Sequence, residues 1–266
     1  MPAGWIDAGR LLGEGIGLLF TDREGGISPP PYHSCNLSYR SGDAAENVCA
    51  NRKTVAAVMG LAPERFVYLE QVHGVAVKRA AADNVDETGH GGRGELAETD
   101  GVYTAETGMV LAVLTADCVP LALSVPSAGI VAMLHAGWRG TIGDIAGEAL
   151  RTLTSETGFD SSGVRVVMGP AIGSCCYEVD EGRARLFVER YGRESGVVSD
   201  DGGYHLDLFA ANRINLLEAG ALESNIKRSG GCTCCEKRYY SFRRDGETGR
   251  QGAFIFLQQK EAADTG

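Results

Sequence analysis

Seven apolar runs with β-branched character constrain this chain's fold more than any other feature: Phe66 to Val72, Val75 to Val77, Met109 to Leu114, Val119 to Val125, Ile130 to Leu134, Val164 to Met168 and Ala253 to Leu257. Short runs of this kind, separated by Gly, Pro or Asp, read as strands, and several are apolar enough to be buried. Helical periodicity is clearest after Trp138, where Ile142, Ile145, Ala146, Ala149, Leu150 and Leu153 recur at the i, i+3, i+4, i+7 spacing of a core-facing stripe. A second helix is expected to start at Asp207 as N-cap, to turn Ala210, Ile214 and Leu217 inward, and to stop with Gly220 as its C′ residue. Ala44 to Met59 and Glu181 to Tyr191 are further helix candidates. Helices and strands mix without the strict alternation of a doubly wound sheet, and short Pro- or Gly-containing turns join the middle strands. The class expected is therefore α+β, a layered α/β sandwich with a mixed β-sheet.

No repeat or linker divides the sequence, so residues 1–266 are expected to form a single domain, with Asp83 to Glu98 as a long exposed loop rich in Gly and charge. With 44% apolar residues, 266 residues can build a core without disulfide staples. The eight cysteines, two pairs of them sequence neighbours, are then thiols of a reducing compartment. A net charge of -10 and a pI near 5.0 disfavour a nucleic-acid partner, whose phosphates would be repelled. Met1 to Gly13 lacks the pattern of a signal peptide, and the run from Met109 to Leu114 is too short to span a bilayer, which points to a cytoplasmic protein with no membrane partner. The oligomeric state is not legible.

Three segments put a metal ligand at the end of an apolar run: Gln71-Val72-His73-Gly74, Thr115-Ala116-Asp117-Cys118, and His135-Ala136-Gly137-Trp138-Arg139-Gly140. Strand ends are where a rigid scaffold hands side chains to a site. Imidazole and thiolate suit zinc, and three protein ligands leave the fourth tetrahedral position that a catalytic site requires. The spacing alone matches no compact zinc signature, since 45 residues separate His73 from Cys118 and 17 separate Cys118 from His135. A buried thiol and a hydrogen-bonded histidine satisfy the same pattern.

The sequence strongly resembles the laccase-domain family, also described as polyphenol oxidases, purine nucleoside phosphorylases or peptidoglycan editing factors. The resemblance rests on Thr21-Asp22-Arg23-Glu24-Gly25-Gly26, Asn36-Leu37, Gly42-Asp43, Asn51-Arg52, the three segments above, and Gly169-Pro170 through Tyr177-Glu178-Val179. It continues through Ser241-Phe242-Arg243-Arg244 and Thr248-Gly249-Arg250-Gln251. What it implies is an α/β sandwich with zinc on His73, Cys118 and His135, phosphorolysis of adenosine, inosine and methylthioadenosine, and hydrolytic deamination of adenosine. Asp22 and Ser38-Tyr39-Arg40 depart from the commoner family pattern at the rim of the expected site.

The implied reactions assign roles. Deamination needs zinc-activated water at purine C6 and a proton shuttle, for which Asp117 is the candidate, although a strand neighbour of Cys118 would face the other way. Phosphorolysis needs cations for a phosphate dianion, with Arg23, Arg52 and Arg139 as candidates. Gln71 and Asn36 are expected to hydrogen-bond ribose or base, and Tyr177 or Phe242 to stack on the purine. Cys175-Cys176 and Cys232-Thr233-Cys234-Cys235 concentrate thiols, but the resemblance implies a single metal, so they are expected to be buried or incidental. His33, His90 and His205 are expected to be solvated.

Other chemistries use the same residues. Two His and one Cys are also the core ligands of a blue-copper centre, although five histidines with no His-x-His pair fit a multicopper oxidase poorly. Cys118 with His135 as base would make a metal-free amide hydrolase, which the peptidoglycan-editing description would suit. A non-catalytic module that only binds nucleoside is a fourth reading.

Overall fold

The computed structural model describes residues 1–81, 95–199 and 202–258. The expected strands form, with shifted ends, at Phe66–Leu69, Val77–Arg79, Val110–Thr115, Val119–Val125, Ile130–Ala136, Arg165–Met168 and Gln251–Leu257. They divide between two six-stranded sheets. In one, Gln251–Leu257 lies between Ile16–Phe20 and Val110–Thr115, antiparallel to both, and Phe66–Leu69 continues the sheet in parallel. In the other, Val119–Val125 pairs antiparallel with Ile130–Ala136 and with Arg165–Met168, while Val77–Arg79 and Ile226–Arg228 add parallel edges. Both sheets are mixed. A short three-stranded sheet joins Glu178–Val179, Tyr204–Leu206 and Val198–Ser199.

Strand alternation shows why these runs are continuously apolar. Leu111 and Val113 face the opposite sheet, where Ala122, Val131, Met133 and Val167 meet them, whereas Val110 and Ala112 face outward onto Val55 and Ala56 of the helix Ala45–Met59. Leu121, Leu123 and Val125 face outward in turn, onto Ile145, Ala149, Leu150 and Leu153 of Ile145–Thr157. Each main sheet therefore has one face on the other sheet and one on helices, giving the expected layered sandwich.

The helices hold two departures. The segment after Trp138 is not one helix but two, Trp138–Ile142 and Ile145–Thr157, because Asp144 takes a left-handed φ of 66° and its side chain accepts from the Gly147 N–H as an N-cap. The helix Leu208–Glu218 starts at Asp207, whose carboxylate accepts from Ala210 N–H, and is followed by Gly220 at φ 97°. Its buried residues are Leu208, Phe209, Ala211, Asn212, Asn215 and Leu216, however, while Ala210, Ile214 and Leu217 are only partly buried. Two asparagines turn inward onto Thr141, which takes their amide donors: Asn212 Nδ2 donates to its hydroxyl at 3.0 Å and Asn215 Nδ2 to its carbonyl at 2.9 Å.

The expected loop from Asp83 to Glu98, with His90 in it, falls mostly outside the described residues; its last part, Glu95–Leu96, is a short edge strand parallel to Phe66–Leu69. No helix among the described residues is long and apolar enough to cross a membrane.

Candidate metal centre

His73, Cys118 and His135 converge, their ligand atoms lying within 4.8 Å of one another. Each arrives differently. His135 is the penultimate residue of the strand Ile130–Ala136, paired with Pro120 and almost fully buried. Cys118 occupies the turn between Val110–Thr115 and Val119–Val125, half-buried. His73 is exposed on the connection between Phe66–Leu69 and Val77–Arg79, at a left-handed φ of 62° that non-glycine residues seldom adopt.

One residue that sequence reasoning missed holds two of the three in place. Asp100, fully buried, accepts backbone N–H bonds from Val72 at 3.1 Å, His73 at 3.0 Å and Gly74 at 2.6 Å, which fixes the unusual turn that carries His73. The same carboxylate lies 2.7 Å from His135 Nδ1. Nδ1 is thereby committed and Nε2 left toward Cys118, the arrangement that orients metal-ligating histidines generally. The only signal for Asp100 in the sequence is an acid just before the strand Gly101–Thr104.

Electrostatics prepares the cluster for a cation. Burial opposes ionisation of Asp100, but His135 and the Gly74 and Val72 amides hold its carboxyl below the usual range. Burial by itself would push the Cys118 thiol up; the charge and hydrogen bond of His135, with a smaller contribution from His73, outweigh it and bring the thiol down to about 6. Burial likewise disfavours a charged His135, and the Cys118 thiolate and Asp100 carboxylate overcome this, raising it to about 9. Cys118 and His135 are thus a thiolate–imidazolium pair.

The three residues fit a metal on structural grounds. Gly137 lies against them: a Cβ there would stand 3.0 Å from Cys118 Sγ and 3.0 Å from His73 Cδ2, so glycine leaves the cluster its room. The donor set is borderline-soft, which suits zinc and admits copper. The ligand atoms open into a cavity of about 660 Å³, the size of a small-molecule site. Arg40, Arg139, Arg183, Arg243 and Arg250 line it, against the carboxylates of Glu95 and Asp117, so an acidic protein presents a cationic pocket.

The other expected site residues divide. Arg139 lines the cavity, with its guanidinium 4.5 Å from the Trp138 ring, and Arg183, which sequence reasoning missed, flanks the same ring at 4.6 Å. Arg183 Nε is buried and has no hydrogen-bond partner among the described residues. Tyr177 and Phe242 both line the cavity, Phe242 strongly exposed. Gln71 lines it too, but its side-chain amide is spent bridging to the Leu114 backbone, accepting and donating at 2.8 Å.

Arg23, Asn36 and Arg52 do not line this cavity. Arg23 donates to the His33 carbonyl and packs over Tyr240. Asn36 is buried and saturated, donating to Ser38, Ser41 and Asp43 and accepting from the Ser38 and Arg250 amides. Arg52 is buried over the Tyr68 ring at 3.6 Å and donates to the Leu37 carbonyl. These loop residues tie the wall together from behind.

Asp117 adjoins the cluster at a left-handed φ of 101°, yet both carboxylate oxygens are taken, by Thr233 Oγ1 at 2.6 Å and Arg243 N–H at 2.7 Å. It anchors the wall rather than standing free as a proton carrier. His205 bonds back to the Gly203 carbonyl and belongs to neither group of potential ligands among the described residues.

Comparison with known proteins adds the lineage. Residues 17–258 match the family described as multi-copper polyphenol oxidoreductase laccase. The chain is 38% identical over 257 residues to the purine nucleoside phosphorylase YlmD of Geobacillus stearothermophilus, covering 95% of this chain and 94% of that protein. It is 39% identical over 243 residues to the purine nucleoside phosphorylase of Deinococcus radiodurans, covering 91% and 89%. The crystal structure of YlmD from Geobacillus stearothermophilus superposes with a TM-score of 0.91 at 37% identity, over 97% of this chain and 98% of that one.

Proposed function

The chain belongs to the multi-copper polyphenol oxidoreductase laccase family, and we propose that its reaction is metal-dependent phosphorolysis of purine nucleosides (adenosine, inosine and methylthioadenosine), with deamination of adenosine as a second activity of the same site. The observation that carries this reading is the sharing of one cavity by the His73–Cys118–His135 cluster and a set of arginines, in a protein whose overall charge is strongly negative. The relatives named purine nucleoside phosphorylase supply the reaction class.

In phosphorolysis a phosphate oxygen bonds to the anomeric carbon while the glycosidic bond breaks and its electron pair leaves with the base. The chain's own contribution is positioning and charge. Arg139 and Arg183, each in contact with Trp138, offer a divided cationic clamp for a phosphate dianion, and the unpartnered Arg183 Nε–H gains an acceptor when an anion enters. Leu69, Ile172, Tyr177, Leu208 and Phe242 provide apolar and aromatic surface for a purine ring. Asp100 holds the His135 ring through Nδ1 and fixes the backbone of the turn that carries His73. A zinc-class ion held by His73, Cys118 and His135 supplies Lewis acidity beside the reacting groups.

Deamination is favoured by the mixed Cys and His donor set, the kind zinc deaminases use. Multicopper oxidation is less well supported, since the two potential ligand groups among the described residues contain only two histidines. The experiment resolves the products formed from adenosine by the purified chain. Adenine and ribose 1-phosphate are expected only when phosphate is present, inosine and ammonia with or without it, and both activities should stop on chelation. Turnover that survives chelation and dies on thiol alkylation would replace this reading with a Cys118–His135 hydrolase.

A further inference from the structure

Four thiols that were expected to be incidental converge on one point. The Sγ atoms of Cys175, Cys176, Cys232 and Cys235 lie within 4.8 Å of one another, with Cys235 Sγ 3.5 Å from Cys175 Sγ and 3.3 Å from Cys176 Sγ. Around one tetrahedral zinc with Zn–S bonds of about 2.3 Å, neighbouring sulfurs stand roughly 3.8 Å apart. These sulfurs therefore stand close to the edges of such a tetrahedron. The stretch Cys232-Thr233-Cys234-Cys235 contains a C-x₂-C pair in Cys232 and Cys235, a spacing that folds two sulfurs around one ion.

The backbone is built for the convergence. Residues 173–177 form a tight turn in which Cys176 and Tyr177 N–H both donate to the Gly173 carbonyl, at 3.0 and 3.1 Å, and this aims adjacent cysteines at the same partner. Gly173 N–H donates to Cys232 Sγ at 3.2 Å, a bond that favours the thiolate form. A Cβ on Gly173 would come within 3.2 Å of Cys175 Sγ, so the glycine makes room here as Gly137 does at the first cluster. The second loop is pinned beside the first by a parallel bridge between Ala171 and Cys232 and by Thr233 N–H donating to Ala171. Arg244 donates to the Thr233 and Cys234 carbonyls, placing a fixed cation beside the thiols. Cys234 is not part of the group of four, although its thiol reaches Cys176 at the group's edge.

We propose that Cys175, Cys176, Cys232 and Cys235 form a second metal site, a tetrathiolate for zinc or a similarly thiophilic divalent ion. Four sulfurs complete a tetrahedron, so the site is closed and structural. Its position explains what it stabilises. The loop bearing Cys175 and Cys176 supplies Ile172 and Tyr177 to the cavity, and the chain after Cys235 supplies Phe242 and Arg243. The ion clamps two walls of the cavity together, and Thr233, between two of its ligands, reaches Asp117 beside Cys118.

The test measures zinc per chain by elemental mass spectrometry on the full-length protein purified in reductant, together with the absorption of the cobalt-substituted form. Cys232→Ser/Cys235→Ser should lower zinc by one equivalent and remove most of the sulfur-to-cobalt charge-transfer intensity, leaving that of the single Cys118 thiolate, whereas His135→Ala should keep the tetrathiolate ion and its bands. Cys235→Ser alone, altering an exposed side chain, should give the same spectral loss if the double variant folds poorly. An unchanged zinc count in both variants, or an intact mass showing two of these cysteines joined as a disulfide in the reductant-purified protein, would overturn the proposal. Nucleoside turnover is not read in this experiment, so its outcome is separate from that of the phosphorylase reading.

Discussion

Among the described residues, two clusters of potential metal ligands differ in almost every physical respect. His73, Cys118 and His135 are three mixed donors, backed by a buried carboxylate and opening into an arginine-lined cavity. Cys175, Cys176, Cys232 and Cys235 are four like donors, two of them exposed, with a backbone N–H on Cys232 and no place in the lining of that cavity. Three ligands with an open side make a site that can do chemistry, while four sulfurs leave an ion nothing further to bind. The clusters touch the same wall through Asp117 and Thr233, so the contrast concerns division of labour within one structure.

The largest effect that would sharpen the contrast is loss of a donor from the open cluster. Cys118→Ala removes the sulfur of that cluster and the thiolate that balances the His135 charge. Metal at the open cluster and nucleoside turnover should both fall to background, with the tetrathiolate ion retained. Full turnover by this variant, measured as phosphate-dependent base release, would break the assignment of chemistry to that cluster.

Protons should separate the clusters next. A metal ion at His135 Nε2 must displace a proton, because the pair rests as thiolate and imidazolium. Between about 6, where Cys118 ionises, and about 9, where His135 does, binding releases that proton, so affinity should rise about tenfold per pH unit. Below about 6 the thiol must also ionise and the slope steepens; above about 9 the His135 contribution levels off. Competition titrations with a chromophoric chelator in His135-site and thiol-site variants measure the two slopes separately. A flat affinity across this window at the open cluster would deny the ion pair.

Support from behind the ligands comes third. Asp100→Asn keeps the shape but gives up the charge that faces His135 and receives three backbone N–H groups. Loss of such an outer partner typically costs about 10–100-fold in metal affinity. That range is expected at the open cluster alone, with no change in the tetrathiolate ion, as read by site-resolved metal titration.

The open cluster was legible in the sequence through the family resemblance that its three segments carry, since a Cys or His at the end of an apolar run is satisfied equally well by packing and hydrogen bonding. Asp100 was not, since its role arises when a distant turn wraps its backbone around the carboxylate, and nothing near residue 100 records that. The expected substrate residues show the same limit: Arg139, singled out from its nearness to His135, lines the cavity, whereas Asn36 and Arg52 are buried behind its wall, because sequence does not say which side of a loop packs inward. The sandwich was readable from seven apolar runs, but the break at Asp144 was not, since a helical stripe continues through a capped interruption without changing its period. The convergence of the four thiols was not legible, although Cys232 and Cys235 stand at C-x₂-C spacing, because they meet Cys175 and Cys176 only across the bridge to Ala171.

The smallest expected effect is the most discriminating control. Cys234 lies between two thiol-site ligands in sequence and its thiol reaches Cys176, yet it falls outside the group of four converging sulfurs. Cys234→Ala removes a small, partly buried sulfur, so the cost should be a modest packing loss on the order of 1 kcal/mol or less, seen as a slight drop in melting temperature. Zinc content and nucleoside turnover should both stay as in the parent protein. If Cys234→Ala instead released an ion that Cys235→Ser retained, the loop would be presenting a different sulfur to the metal. The closed tetrahedron would then have to be redrawn around Cys234, with Cys235 as the bystander.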